Sequence, residues 1–398
     1  MSNVVFNLND ITLVMTIVLS ILFSLMLISS HRMNDISAYL LAGFLTSHAF
    51  IAFHELTFYG LKFRFEVLEN APNLLFVGSL AYCLDAVLLY FYIKSSVFSD
   101  FKLSKKHLVH LIPLALYAAY LIAVYYSLSD LSKQITIENW QLYSSWHYIA
   151  ADNIIKLLRL FYILNCFVLI TRYHKRHKEA RADISTIDLN WLRFLLFGFL
   201  SIMLVDVILS LLKVVNINYA IAVTTFINIG LFSYYATFLL VVSLLFYSVT
   251  RSHSIIPIPT HDVNQPVDEK SEYKPNYIKR IERVMREEKP YLLSEITIDE
   301  LAKKLDVSTK DLSVTLNRHF QVNFYEFINK YRIDEAKILL ISDLNKSITD
   351  IFYEVGFNSK SVFYSFFKKQ EGVTPSEYRK RHTLNNVKQA NNATFPIE

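Results

Sequence analysis

Seven stretches of this 398-residue chain are long and apolar enough to cross the hydrocarbon core of a bilayer, and all of them lie before residue 250. Such a crossing takes about 20 mostly apolar residues in a helix, and inside hydrocarbon the helix must satisfy its own backbone hydrogen bonds. The stretches are Ile11–Ser30, Ile36–Phe53, Leu74–Ile93, Leu108–Tyr126, Ile154–Thr171, Trp191–Leu212 and Ala222–Tyr247; His48 makes the second the weakest. Charge separates the same region from the rest. Residues 1–250 hold 17 Lys/Arg and 14 Asp/Glu, whereas the much shorter stretch 251–398 holds 23 and 21. Two kinds of material therefore share one chain, and the expected fold class is all-α: an N-terminal seven-helix transmembrane bundle over residues 1–250 and a polar helical domain after it.

The first apolar stretch is too long for a signal-peptide core and has neither a basic start nor a small-residue cleavage site. Cys83 and Cys166 both sit in apolar runs and read as small buried hydrophobes, with no disulfide or metal framework implied. Basic residues in the short loops set the orientation. With residue 251 onward in the cytoplasm, the inside loops carry Arg32, then Lys94, Lys102, Lys105 and Lys106, then Arg172, Lys175, Arg176, Lys178 and Arg181. The outside loops carry only Lys62, Arg64, Lys133 and Lys213. The expectation is a multi-pass protein of the bacterial cytoplasmic membrane, N-terminus outside and C-terminus inside.

Residues 251–275 contain Pro257, Pro259, Pro266 and Pro275 with little periodicity, and are expected to form a tether, since proline blocks helix continuation. Residues 276–382 are expected to form the second domain, and the Asn-rich residues 383–398 a disordered tail.

The second domain contains an internal repeat. Leu301 matches Ile351, Leu305 matches Val355 and Val307 matches Phe357 at an offset of 50; after one inserted residue, Asn358, Leu312 matches Phe363, Leu316 matches Phe367 and Glu326 matches Glu377. Each copy reads as helix, tight turn, helix. Thr297 with Glu300, and Ser347 with Asp350, have the spacing of a helix-start cap and its reciprocal acid. Gly356 and Asp306 suit the left-handed turn residue, and Ser308 and Ser359 are positioned to cap the second helix of each pair. The run from Phe327 to Ile341 reads as a single helix joining the copies, and Thr374-Pro375-Ser376-Glu377 starts a closing helix.

The segments NKYRIDEAKILL and VGFNSKSVFYSFFKKQEGVTPSEYRKR resemble the C-terminal DNA-binding domain of the AraC/XylS regulators, and REEKPYLLSEITIDELAKKL is similar to versions common in Bacteroidetes-type bacteria. The resemblance covers about residues 273–382. It implies two helix-turn-helix units, each with its second helix in a major groove of double-stranded DNA, held about one DNA turn apart by the connecting helix. With Leu312 and Leu316 turned inward, Lys310, Ser313, Val314 and Asn317 are predicted to face out. With Phe363 and Phe367 inward, Ser361, Tyr364, Ser365 and Lys368 face out, flanked by Lys360 and Lys369. Hydroxyls and amides suit base edges, whereas Lys310, Arg318, Lys368 and Lys369 suit phosphates. The sequence departs from the family where arginine is frequent, at Val314 and Ser365, and carries Phe352 where a small residue is usual. Residues 273–382 hold 20 Lys/Arg against 16 Asp/Glu, an excess that predicts moderate, salt-sensitive non-specific affinity.

Ionisable residues inside the apolar stretches are the remaining signal, because burying them costs free energy. His54 and Glu55 close the outer end of the second stretch, Asp85 sits nearer the middle of the third, Lys156 and Arg159 lie in the outer third of the fifth, and Asp206 lies toward the outer end of the sixth. They are read either as a pocket for a signal molecule or ion, or as a structural Asp206–Arg159 pair with ordinary boundary residues. His48 and His54, six apart, fall on different helix faces and do not suggest a metal site. No cofactor motif, catalytic constellation or metal cluster is evident.

The expected function is a membrane-embedded one-component transcription regulator, with DNA, the bilayer, a signal molecule or membrane partner, and a second copy of the chain as partners. The alternative is a transporter-like or enzyme-like membrane module that the helix-turn-helix domain regulates or that sequesters it. A transporter should show broken helices or two related halves, and neither is evident in the sequence.

Overall fold

The computed structural model of the protein describes residues 7–30, 36–98, 101–182, 190–217, 219, 221–250 and 276–383. The tether read over 251–275 lies outside them, as does the tail beyond residue 383. The described residues are helical, with no sheet and one isolated bridge between Arg181 and Thr297. They fall into two compact units: Met1–Ile170 with Leu189–Thr260, and Thr171–Asp188 with His261–Glu398.

In the first unit, seven helical segments are long and apolar enough to cross a membrane. Helix α1 (Leu8–Ser30) packs on α2 (Ile36–Tyr59). The α1–α2 seam is tied by Ser24, whose Oγ donates to the carbonyl of Ala42 at 2.9 Å and accepts from Thr46 Oγ1 at 3.2 Å. Hydroxyl bonds of this kind join helices where no hydrophobic drive separates them from lipid. Short α3 (Leu61–Asn70) follows.

The third segment corrects the expectation of unbroken helices. It spans Pro72–Val97 but is interrupted: a 3-10 turn at Pro72–Leu74, Phe76 at a left-handed φ of 67°, a 3-10 stretch at Gly78–Cys83, and only then α4 (Asp85–Val97). Gly78 permits this, because a Cβ there would collide with the backbone of α2 at Phe50 and His54. Irregular backbone at membrane depth is tolerated where protein buries it, and Leu75, Phe76 and Cys83 are all buried.

The fourth segment, with α5 (Ile112–Leu121), ends in a π-turn at Ile122–Tyr126. Short α6 (Asp130–Glu138) and α7 (Gln141–Ser144) lead into the long α8 (Trp146–Ala180), then α9 (Asn190–Val215) and α10 (Val223–Thr250), which packs on α9 and α1. Leu22, Leu25, Phe161, Leu164, Phe197 and Leu239 are among the large apolar side chains turned outward, a surface suited to hydrocarbon.

The second unit consists of two helix-turn-helix copies on a shared helix. α11 (Asn276–Glu287) precedes the first pair, α12 (Ile298–Leu305) and α13 (Thr309–Thr315); α14 (Phe324–Ser342) connects to the second pair, α15 (Ile348–Glu354) and α16 (Lys360–Glu371). A closing helix occupies 375–383. Each pair has its own core: Leu301, Leu305, Leu312 and Leu316 in the first, Ile351, Val355, Phe363 and Phe367 in the second. Both faces of α14 are used, Phe327 and Ile328 entering the first core and Ile333, Ala336 and Leu340 the second.

The end of α8 also belongs to this unit. The chain just beyond it buries Ala182 in the first core, where its N–H donates to the carbonyl of Ile296 at 3.2 Å and its carbonyl accepts from Asn329 Nδ2 at 3.2 Å. A domain division at residue 250 leaves this stretch on the other side. The helix outlasts its apolar part, and the polar residues from Arg172 to Lys178 gave no sign of the buried alanine that follows.

Candidate functional site

Local chemistry builds both turns. Thr297 Oγ1 accepts from Glu300 N at 3.3 Å while Glu300 returns a carboxylate oxygen to Thr297 N at 2.8 Å, a complete capping box. Ser347 and Ser308 accept from Asp350 N and Asp311 N, each at 3.0 Å. Ser359 does not cap α16; its hydroxyl instead meets Ser361 Oγ at 3.0 Å. The turn residues are left-handed, Asp306 at φ 47° and Gly356 at φ 90°.

The second helix of the first pair differs from the expected face. Lys310, Asn317 and Arg318 are exposed and Ser313 is half-buried, but Val314 is only 5% exposed and turns inward with Thr315 and Leu316. Its apolar side chain is thus out of reach of a base edge. After Thr315 the helix widens into a π-turn over Leu316–Phe320 that ends at left-handed Gln321. Asn317, placed on the outward face by a 100° step, lies inside that wider turn and is exposed.

The second pair keeps an even face. Lys360, Ser361, Ser365, Lys368 and Lys369 are exposed along α16, and Tyr364 is half-buried beneath Lys360, whose Nζ lies 5.6 Å from the ring centre. Phe363 and Phe367 are fully buried. Phe352, out of pattern for the family, fits as core: its ring stacks near Phe363 at 6.0 Å. Helix α16 is moored to α14 by Lys337–Glu371 at 2.8 Å and Gln370–Asp334 at 2.8 Å.

Arg332 of α14 sits between the copies, 1% exposed. Its guanidinium donates to the carbonyls of Tyr291 (2.7 Å), Leu293 (2.8 Å) and Ser294 (3.1 Å) and lies 5.5 Å from the ring centre of Phe357. Tyr291 donates in turn to Glu335 at 3.0 Å; burial, then this bond, pushes its phenol well above the ordinary value. One buried fork therefore fastens the first copy's lead-in to the second copy's turn.

In the membrane unit the ionisable residues form two groups. Arg159, 3% exposed, is clamped by two carboxylates. Its Nε and one terminal nitrogen meet Asp85 (3.1, 3.1 and 2.7 Å), and the other terminal nitrogen meets Asp206 at 2.9 Å. Asp206 also accepts from Ser233 at 2.9 Å. Asp85, not Asp206, is the principal partner. The second group centres on Asp152, which accepts from Lys213 at 2.9 Å and Ser210 at 3.0 Å and pairs with Lys156 at 3.3 Å. Glu55 accepts from the phenols of Tyr82 and Tyr234, and His54 is buried beside it. Asp152 and the tyrosines are additions to the cluster read from the sequence, and Lys213 lies in the last turn of α9 instead of in an outside loop. Among the described residues no group of three or more His, Cys, Asp and Glu is arranged to hold a metal.

A family model described as a helix-turn-helix domain matches residues 301–381. The melibiose operon regulatory protein of Escherichia coli is 35% identical over 101 residues, 25% of this chain and 31% of that protein. The transcriptional regulatory protein HptR of Staphylococcus aureus is 30% identical over 123 residues, 31% of this chain and 46% of that protein. The chain thus spans from about a third to just under half of these two relatives. An uncharacterised helix-turn-helix transcriptional regulator encoded in the cgkA 5′ region of Pseudoalteromonas carrageenovora is 31% identical over 140 residues, 33% of this chain and 82% of that protein. With its double helix-turn-helix core, this chain belongs to the AraC-type family of DNA-binding transcription regulators.

Proposed function

We propose that the protein is a one-component regulator, in which a signal met by the seven-helix unit alters how the double helix-turn-helix unit engages specific DNA. The observation that carries this reading is Ala182. Directly after α8, it is hydrogen-bonded into the first helix-turn-helix core through Ile296 and Asn329. A shift or rotation of α8 would act on that core directly, besides any effect through the chain after α10. The N-terminus lies outside and the DNA-binding unit in the cytoplasm, as the loop charges favour.

Genome-wide DNA capture with the full chain in its native membrane is expected to recover a small set of operators. Reporter fusions are expected to agree: an enzyme active only outside the cytoplasm should be silent after Arg251 and active near Lys133. The opposite fusion pattern would remove the regulator reading, because the DNA-binding unit would never meet the chromosome. A transporter-like role for the membrane unit is the second reading, favoured by the interrupted third segment.

The DNA contacts themselves are assigned by exposure and chemistry. Lys310, Arg318, Lys360, Lys368 and Lys369 serve phosphates; Ser313, Asn317, Ser361, Tyr364 and Ser365 serve base edges. Lys368→Ala is expected to weaken binding to all sequences alike and to lower the salt slope by about one. Ser361→Ala should instead change preference at one base pair, by about 1–3 kcal/mol. Titrations of both variants at several salt concentrations separate the two roles, and a sequence-selective loss in Lys368→Ala would reverse the assignment.

A further inference from the structure

The membrane unit contains a polar cavity of about 420 Å³ including its open mouth, near the first turns of α8 and the last turn of α9. Its lining carries charge of both signs at two places. At one, Lys156 and Lys213 share a single carboxylate, Asp152, leaving one positive charge in excess. At the other, Glu55 is held by two phenols, Tyr82 and Tyr234, and has no cation within ion-pair distance among the described residues. Phenol donors stabilise a carboxylate without neutralising it, so each place lacks a counter-charge. Tyr59 adds a ring face, which attracts ammonium groups, whereas the rings of Tyr82 and Tyr143 already lie 4.8 Å from Arg159 and 4.3 Å from Lys213. His54, 5% exposed, also lines the cavity, with its Nδ1 buried and without a hydrogen-bond partner.

We propose that this cavity binds a small zwitterion of the α-amino-acid class: its carboxylate meets Lys156 and Lys213, its ammonium meets Glu55 and the Tyr59 ring, and His54 Nδ1 completes the polar contacts. The site supplies the signal-binding step of the regulator proposed above and rests on that reading for its role, though not for its chemistry. The broken third segment contributes Ser79 and Tyr82 to the lining, so occupancy is positioned to act on the segment that also carries Asp85. Through Asp85 it reaches Arg159 of α8, the helix just beyond whose end Ala182 lies.

The test uses the full chain in nanodiscs and three probes of one shape: L-alanine, L-alaninamide and propionate. The three are nearly equal in size, so size does not decide the result. Alanine is expected to bind at least about tenfold tighter than either singly charged probe, as loss of one charge-paired contact at a desolvated site typically costs that much or more. Lys156→Gln removes the excess positive charge while leaving Asp152 paired with Lys213, and Glu55→Gln removes the lone negative charge; each should lower alanine affinity by about tenfold with DNA binding retained. Equal affinity for alanine and propionate, equal affinity for alanine and alaninamide, or no binding of alanine overturns the site. If the variants do not fold, the three-probe comparison on the unaltered chain still decides. A promoter reporter separates the two readings: charge-selective binding without a transcriptional response keeps the site and removes its signalling role, and a regulated promoter without charge-selective binding removes the site alone.

Discussion

Arg159→Gln is expected to remove most of the folded protein from the membrane. The guanidinium is the cation between two carboxylates, Asp85 with no exposure at all and Asp206 partly buried, and it also lies 4.8 Å from the ring centre of Tyr82. Glutamine cannot neutralise either acid. Breaking a buried pair by removing one partner typically costs about 3–5 kcal/mol, a large part of the roughly 5–15 kcal/mol that holds an ordinary domain folded. The two acids should not be equivalent. Asp85 takes three of the guanidinium's four hydrogen bonds to the two acids and is the more deeply buried, so Asp85→Asn should cost more than Asp206→Asn. Asp85→Asn combined with Arg159→Gln should recover part of the loss, because the lone buried guanidinium and the lone Asp85 disappear together. Abundance in isolated membranes and the thermal midpoint in detergent measure all four. Unchanged abundance and midpoint in Arg159→Gln would show that the clamp contributes nothing to folding; unchanged abundance with promoter output locked on or off would move it from structure to signalling.

That clamp shows where sequence reasoning stopped. The depth of Arg159 and Asp206 can be counted from helix ends, because the rise per residue is fixed at about 1.5 Å. Which carboxylate the guanidinium turns to is decided by the packing of residues 74 positions apart, and Asp85 wins through the bend at Gly78–Cys83 that delivers it to the start of α4. Hydropathy does not register that bend, since a 3-10 stretch of Leu, Ala, Tyr and Cys is as apolar as a helix. Asp152 and Lys213 are not legible in the sequence for a related reason: each alone looks like an ordinary helix-end charge, and only tertiary structure pairs them across 61 residues. The helix-turn-helix repeat was legible because its determinants are local. Thr297 and Glu300, Ser347 and Asp350, and the left-handed turn residues act within three or four positions of one another. Val314 was misplaced because helical periodicity assigns a face from two leucines alone, whereas an apolar side chain can be covered from a second direction.

Gly356→Ala is expected to abolish stable DNA binding by unfastening the second helix-turn-helix copy. Gly356 holds φ at +90°, where an L-side chain is strained, and an added Cβ would stand 2.8 Å from the carbonyl oxygen of Leu292 and 2.9 Å from that of Tyr291. These are backbone atoms and cannot swing aside. Moving them disturbs the turn that receives the guanidinium of Arg332, whose Nε would itself lie 3.1 Å from the new methyl group. Two costs therefore add. Backbone strain contributes about 1–3 kcal/mol, and weakening charge-assisted bonds to a buried guanidinium contributes about 1–3 kcal/mol more. Because α14 serves both cores, the loss is not confined to one turn. The two reading helices lose their fixed separation, and an operator that needs both pays for ordering them again on binding. In the full chain, the variant should become protease-sensitive around residues 343–358 and bind its operator at least about tenfold more weakly, since every 1.4 kcal/mol is a factor of ten. Arg332→Lys should give a smaller loss in the same direction, because an ammonium cannot reproduce the fork that spans Tyr291, Leu293 and Ser294. Normal protease resistance and normal operator affinity in Gly356→Ala would show that the lead-in turn and the second copy are not mechanically joined at this point.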